Sequence, residues 1–135
     1  MVGHSLGAAL ALLDAVFLPL HLPPSTSFKI IGYGMPRVGN QAFADYVDAH
    51  ITSLAGGTGL TRITNKKDPV PIVPGRFLGF THASGEIHIE DSNAFDSCPG
   101  QDNTSKSCIV GEVSNLFESD VSDHDGPYDG VTMGC

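Results

Sequence analysis

With 135 residues and 41% hydrophobic content, the chain has material for one domain around one modest core. Its formal net charge is −8 with only seven Lys and Arg and no basic run, which argues against nucleic acid or an anionic membrane surface as a partner. The longest apolar run, residues 6–22, is interrupted by Asp14, Pro19 and His21, so nothing reads as a signal peptide or a transmembrane segment.

Gly3-His4-Ser5-Leu6-Gly7 opens the chain and runs directly into Ala8-Ala9-Leu10-Ala11-Leu12-Leu13. Two glycines that flank a serine, each one residue removed, permit the sharp strand-to-helix turn that lifts a serine oxygen clear of the backbone. Ser5 is the candidate nucleophile, and the N–H of Leu6, at the start of the helix, is the candidate oxyanion donor. Such a pattern also arises by chance in a chain with 16 glycines, so the context has to carry it. Residues 5–18 read as a helix apolar nearly all round, which predicts burial on both sides. Only Met1 and Val2 precede Gly3. The expectation is therefore an N-terminally truncated domain starting at the elbow, with the strand that aims the serine absent from the chain and an open sheet edge that limits solubility.

Pro19 and Pro23-Pro24 end the helix, and residues 28–33 are short, β-branched and aromatic, as in a central parallel strand. Residues 34–40 form a loop. Asn40 caps a second helix that is expected to run to about residue 53, with Phe43, Tyr46, Val47 and Ile51 at helical spacing. The glycine-rich residues 55–59 end that helix. They lack the preceding strand and following Lys-Ser/Thr of a phosphate loop. Residues 60–65 read as a strand whose exit loop, stiffened by Pro69, Pro71 and Pro74, carries Asp68. An antiparallel strand is expected at residues 86–90 and loop from 91 to 115, with a short turn at residues 113–117. The closing segment 122–130 is acidic and contains His124 and Tyr128.

Acyl transfer at neutral pH requires a nucleophile, a base that takes and returns its proton, and a carboxylate that fixes the base's tautomer. Ser5, His124 and Asp68 occur in an order, Ser…Asp…His, that suits this chemistry. Asp14 and Asp45 lie on helices and Asp91 follows a different strand, which leaves Asp68 alone at a rigid strand exit. His4 is the variable residue of the elbow, and His21 and His50 sit at helix ends. His82 is the rival base, its alternative role being a structural hydrogen bond, whereas His124 lies in a late Gly/Pro loop with Tyr128 near enough to shield it. The acids around His124 do not have calcium-loop spacing, and His82, His88, Cys98 and Cys108 match no common zinc pattern, so neither a metal nor a cofactor is expected. Cys98 and Cys108 flank a polar loop that could close as a disulfide hairpin. Asn103-Thr104-Ser105 within that loop is a glycosylation acceptor pattern, and the odd Cys135 has no assigned partner.

Gly3 to Ala11, Gly32-Tyr33-Gly34-Met35-Pro36-Arg37-Val38-Gly39-Asn40, Asp68-Pro69-Val70-Pro71 and Asp123-His124 together resemble the secreted class 3 lipases of fungi, to which feruloyl esterases are near relatives. The resemblance implies an α/β-hydrolase fold, Ser5 as nucleophile, Asp68 as acid, His124 as base and a Cys98–Cys108 disulfide. It also implies that residues 34–40 cross beneath the elbow. The expected activity is triacylglycerol lipase acting on lipid esters at an oil–water interface, secreted as the full-length protein. The alternatives are an esterase of plant-wall aromatic esters and an inactive fragment. In the family the segment before the elbow carries a lid and the second oxyanion donor.

Overall fold

The chain is described by a computed structural model over residues 1–57 and 59–133. Cys135 and Thr58, part of the expected glycine-rich turn, lie outside the described residues. A five-stranded sheet, in the order β1 (Val2–His4), β2 (Ile30–Tyr33), β4 (Leu60–Asn65), β6 (Glu86–Ile89) and β7 (Phe95–Cys98), forms the centre. The first four strands are parallel and β7 returns antiparallel along β6. A two-stranded antiparallel ribbon joins β3 (Gly39–Asn40) to β5 (Phe80–Thr81).

The strand that aims Ser5 is present, contrary to expectation. Val2, Gly3 and His4 register with Ile31, Gly32 and Tyr33. Three residues suffice because the free edge of β2 takes every available partner: Ile31 N–H donates to the Met1 carbonyl at 3.0 Å and Ser5 N–H to the Tyr33 carbonyl at 2.9 Å. The terminal ammonium donates to the Lys29 carbonyl at 2.7 Å.

Helix α1 (Leu6–Phe17) lies on β1 and β2. Its small residues Ala8, Ala11 and Ala15 with Leu12 bury one face against Ile30, Met35, Leu60 and, from helix α2 (Gln41–Val47), Ala44 and Val47. The burial on both sides predicted from its composition is not seen. Among the described residues Leu6, Leu10, Leu13 and Phe17 are exposed, so only the alanine face is packed.

Asn40 caps α2 as expected, its Oδ1 accepting from Phe43 N–H at 3.1 Å. The helix is shorter than predicted, giving way after Val47 to a wider turn over residues 48–52 and then to helix α3 (Leu54–Gly57). At that turn Asp48 leaves the helical surface and accepts from Ser84 N–H and Oγ–H, both at 2.8 Å, and from Gln101 at 2.8 Å.

Strand β6 is antiparallel only to β7; on its other side it runs parallel to β4. β7 falls where the sequence reads as loop, because Phe-Asp-Ser-Cys is a polar edge segment with a single neighbour and little strand propensity. Helix α4 (Ile109–Glu112) also lies in the expected loop, and the expected turn at residues 113–117 sits as a 3₁₀ turn over Leu116–Glu118. The alternation in β6 buries its polar side: Glu86 and His88 are enclosed while Ile87 is only half-buried. Arg62 and Thr64 of β4 share that face. Glu86 accepts from Thr64 at 3.2 Å and from Ile109 N–H at 2.9 Å, and His88 bridges Thr64 at 2.8 Å and Glu112 at 2.6 Å. Buried polar groups are tolerated here because nearly every one is hydrogen-bonded. The Cys98–Cys108 disulfide is formed, fastening the end of β7 to the start of α4.

His82 is buried, its Nε2–H donating to the Pro71 carbonyl at 2.8 Å. Burial pushes its imidazole well below the usual range, and the Arg62 and Arg37 guanidiniums add to the depression. Below about pH 6.5 the unfolded chain therefore takes up a proton that the folded chain refuses. Stability contributed by neutral His82 is complete above that pH and is lost on acidification. His82→Gln, which keeps a donor, should flatten the fall in melting temperature between about pH 6.5 and 5. A second comparison concerns the elbow glycines: a Cβ on Gly3 would run into the Gly7 carbonyl, whereas one on Gly7 would meet nothing. In urea unfolding Gly3→Ala should cost about 2 kcal/mol or more, and Gly7→Ala should stabilise by roughly 0.5 kcal/mol.

Candidate active site

β1, β2 and β4 end side by side at His4, Tyr33 and Asn65, and the next residues of the chain carry the candidate groups. Loops at the carboxyl ends of parallel strands are where such sheets place chemistry. Ser5 has φ 55° and ψ −130°, a conformation that non-glycine residues rarely adopt. It is held there by the hydrogen bond from its N–H to Tyr33 and by Ala8 N–H, which donates to its carbonyl at 3.0 Å. Its hydroxyl does not cap the helix. Leu6 N–H, first in α1, has no acceptor one turn back.

Asp68 is wholly buried on the exit loop of β4. Its Oδ1 accepts from Val70 N–H at 2.8 Å, and the two carboxylate oxygens stand 3.1 and 3.0 Å from His124 Nδ1. A carboxylate only accepts, so Nδ1 carries the proton and Nε2 keeps its lone pair. His124 rides on a 3₁₀ turn, Val121–Asp125, that is docked onto the Asp68 loop. Asn65 Nδ2 donates to the Asp123 carbonyl at 2.9 Å, Lys67 N–H to the Asp123 carboxylate at 3.1 Å, and Asp120 N–H to the Lys67 carbonyl at 2.8 Å. Tyr128 covers the pair, its hydroxyl donating to the His124 carbonyl at 3.1 Å. Burial, with the Asp68 carboxylate adding to it, pushes the Tyr128 phenol up and keeps it a donor.

The structure thus joins Asp68 to His124 directly. Ser5 adjoins them through its neighbour: the His124 ring lies tilted against that of His4 at a centroid separation of 4.5 Å. Among the described residues no hydrogen bond links Ser5 Oγ to His124, and such contacts commonly tighten only when substrate is bound. His82 is not part of the group and serves as the structural hydrogen-bonder considered for it.

Two residues matter to which the sequence reasoning gave no site role, although both lie in the motif over residues 32–40. Gly34, at φ +54°, sits against the pair: a Cβ there would lie 2.8 Å from Tyr128 Oη, 2.9 Å from Asp68 Oδ2 and 3.0 Å from His124 Cε1. In the sequence it stands immediately after an expected strand and within the motif over residues 32–40. Arg37 is buried and pairs with Asp102 at 2.9 Å while donating to the carbonyls of Ile72 and Pro74, so it ties the loop after β2 to the Asp68 loop and the disulfide loop. Asn103, within that disulfide loop, donates to the Pro99 carbonyl at 2.9 Å and accepts from Ser105 N–H at 2.9 Å. Among the described residues no three His, Cys, Asp or Glu side chains converge to hold a metal ion.

Residues 1–78 match the family model described as Lipase (class 3). A secreted mono- and diacylglycerol lipase of Malassezia globosa is 37% identical over an alignment of 137 residues that covers the whole of this chain and 41% of the relative. Lipase II from Rhizopus niveus superposes with a TM-score of 0.79 at 34% identity, covering 98% of this chain and 47% of that one. A triacylglycerol lipase whose catalytic centre is formed by a serine protease triad superposes with a TM-score of 0.70 at 34% identity, covering 98% and 48%. The chain spans less than half the length of each of these relatives. Its mostly parallel sheet, with the elbow at the end of β1, is that of an α/β-hydrolase. The chain belongs to the class 3 lipase family.

Proposed function

We propose that this chain supplies the catalytic residues of a serine carboxylic-ester hydrolase acting on acylglycerols, with Ser5 as nucleophile, His124 as general base and acid, and Asp68 as the carboxylate that orients it. The observation that carries this reading is the buried Asp68 carboxylate on His124 Nδ1, at the strand edge where Ser5 stands in a strained elbow. His124 Nε2 takes the Ser5 hydroxyl proton as Oγ bonds to the ester carbonyl carbon, and the oxygen of that carbonyl becomes an oxyanion facing Leu6 N–H. Collapse of the tetrahedral centre breaks the bond to the alcohol, which leaves with the proton from Nε2. Water then gives its proton to Nε2 and attacks the acyl-serine, and the carboxylic acid departs as Ser5 recovers its hydrogen.

An apolar substrate is supported by a groove of about 730 Å³ between residues 72–78 and 113–117, rimmed by the exposed side chains of Phe77, Leu78, Leu116 and Phe117. Ser5, Asp68 and His124 do not line it. It flanks the segments that leave Asp68 and approach His124, and offers an ester's hydrocarbon tail a surface to lie on. The disulfide and the secreted status of the relatives support export of the protein and contact with lipid at an oil–water interface. Asn103 is the candidate glycan acceptor on that route.

A fluorophosphonate probe should label the folded protein at Ser5, as located by peptide mass spectrometry. Ser5→Ala should remove the label, and Asp68→Asn should slow labelling by about 10³-fold or more. A folded protein that never labels would overturn the reading. Hydrolysis of monooleoylglycerol but not methyl ferulate separates an acylglycerol lipase from an aromatic esterase. Gly34→Ala, which forces Asp68, His124 and Tyr128 apart, should cut turnover about 100-fold while the chain still folds.

A further inference from the structure

His4, the residue between Gly3 and the candidate nucleophile, does more than fill a variable place in the elbow. Its Nε2 lies 2.7 Å from the carbonyl oxygen of His124. A carbonyl can only accept, so His4 Nε2 carries a proton and donates it. The same carbonyl takes the Tyr128 hydroxyl at 3.1 Å, so both of its lone pairs are engaged. The two imidazoles also lie in tilted contact, with an interplanar angle of 33°, and the edge of Tyr128 meets His4 at 6.0 Å. On the neighbouring strand Tyr33, in register with His4, packs edge-on against Tyr128 at 5.3 Å.

We infer that His4 is a positioning residue, which sets the distance between nucleophile and base by hydrogen-bonding the backbone of His124 and supporting its ring. The inference rests on the roles proposed above for Ser5 and His124. His124 arrives on a short 3₁₀ element in a late loop, while Ser5 arrives on the end of β1, and among the described residues no cross-link joins one to the other. Asp68 holds Nδ1 and so the tilt of the ring, but it sits on the exit loop of β4, two strands away from β1 in the sheet. Among the contacts described, the bond from His4 is the one that ties the base's own peptide to the nucleophile's own strand. His4 shares a peptide bond with Ser5, so a shift of the late loop is resisted one residue from the attacking oxygen. Misplacement of a reacting group by about 1 Å costs roughly 100-fold in rate, which sets the scale of the effect.

The test compares His4→Gln, which keeps a donor on a flexible stem, with His4→Met, of similar length and without one, and with His4→Phe, which keeps only the ring. The second-order rate of Ser5 labelling by a fluorophosphonate should fall about 10- to 100-fold in His4→Met and partly recover in His4→Gln. His4→Phe should lie between His4→Met and the parent protein. With a soluble ester the loss should appear in kcat, with KM unchanged. Equal rates in His4→Met and His4→Gln, or His4→Met labelling as fast as the parent, would overturn the inference. A measurement on the unsubstituted protein needs neither folding of a variant nor activity: NMR should detect the His4 Nε2 proton in slow exchange, with a through-hydrogen-bond coupling to the His124 carbonyl carbon. Absence of that proton and coupling refutes the positioning role even if Ser5 labels. A protein in which they are seen but Ser5 never labels refutes the hydrolase reading instead.

Discussion

The carboxylate of Asp68 is enclosed by protein, and a charge in that position is tolerable only if it is neutralised or richly hydrogen-bonded. It receives Val70 N–H from its own loop and His124 Nδ1 from a turn more than fifty residues further along the chain. Removing one partner from a buried charged pair typically costs about 3–5 kcal/mol, so the unpaired acid acts as a demand that the late loop must meet. The same contact that completes the fold at this end of the sheet also selects the imidazole tautomer that leaves Nε2 free. Stability and chemistry are served by one geometry.

The surrounding loops are arranged so that this pairing cannot drift. Arg37 ties its own loop to two others through Asp102, Ile72 and Pro74, and its own burial means that these contacts form without competing water. Gly34 leaves room for Asp68, His124 and Tyr128 to converge where any side chain would hold them apart. Beneath, Met35 fills the space under Gly32 next to Ala8, so the loop that frames the site is also packed into the core below the elbow.

What could be read from the chain alone was whatever is encoded locally. Ser5 in its glycine frame, β4 with its rigid exit at Asp68, the Asn40 cap and the Cys98–Cys108 hairpin all rest on short-range chemistry. Features set by distant partners were misread. β1 passed for an absence because two residues before Gly3 seem too few for a strand, yet a ready edge on β2 recruits them. β7 is polar and becomes a strand only because β6 offers it a ladder. The burial of Glu86 and His88 depends on Arg62 and Thr64 from β4 and on Glu112 and the Ile109 amide from α4. His4 was discounted for the same reason, since its partner lies at the far end of the chain.

The disulfide also bears on where the segment carrying His124 begins. Cys108 is fixed to the end of β7, and residues 109–123 are all the chain that separates it from His124. α4, held by Glu86 and His88, shortens that leash further. The segment that brings His124 to Asp68 therefore starts from an anchored point beside the sheet rather than from a free loop. The cross-link touches neither Asp68 nor His124, yet it fixes the start of the segment on which their pairing depends.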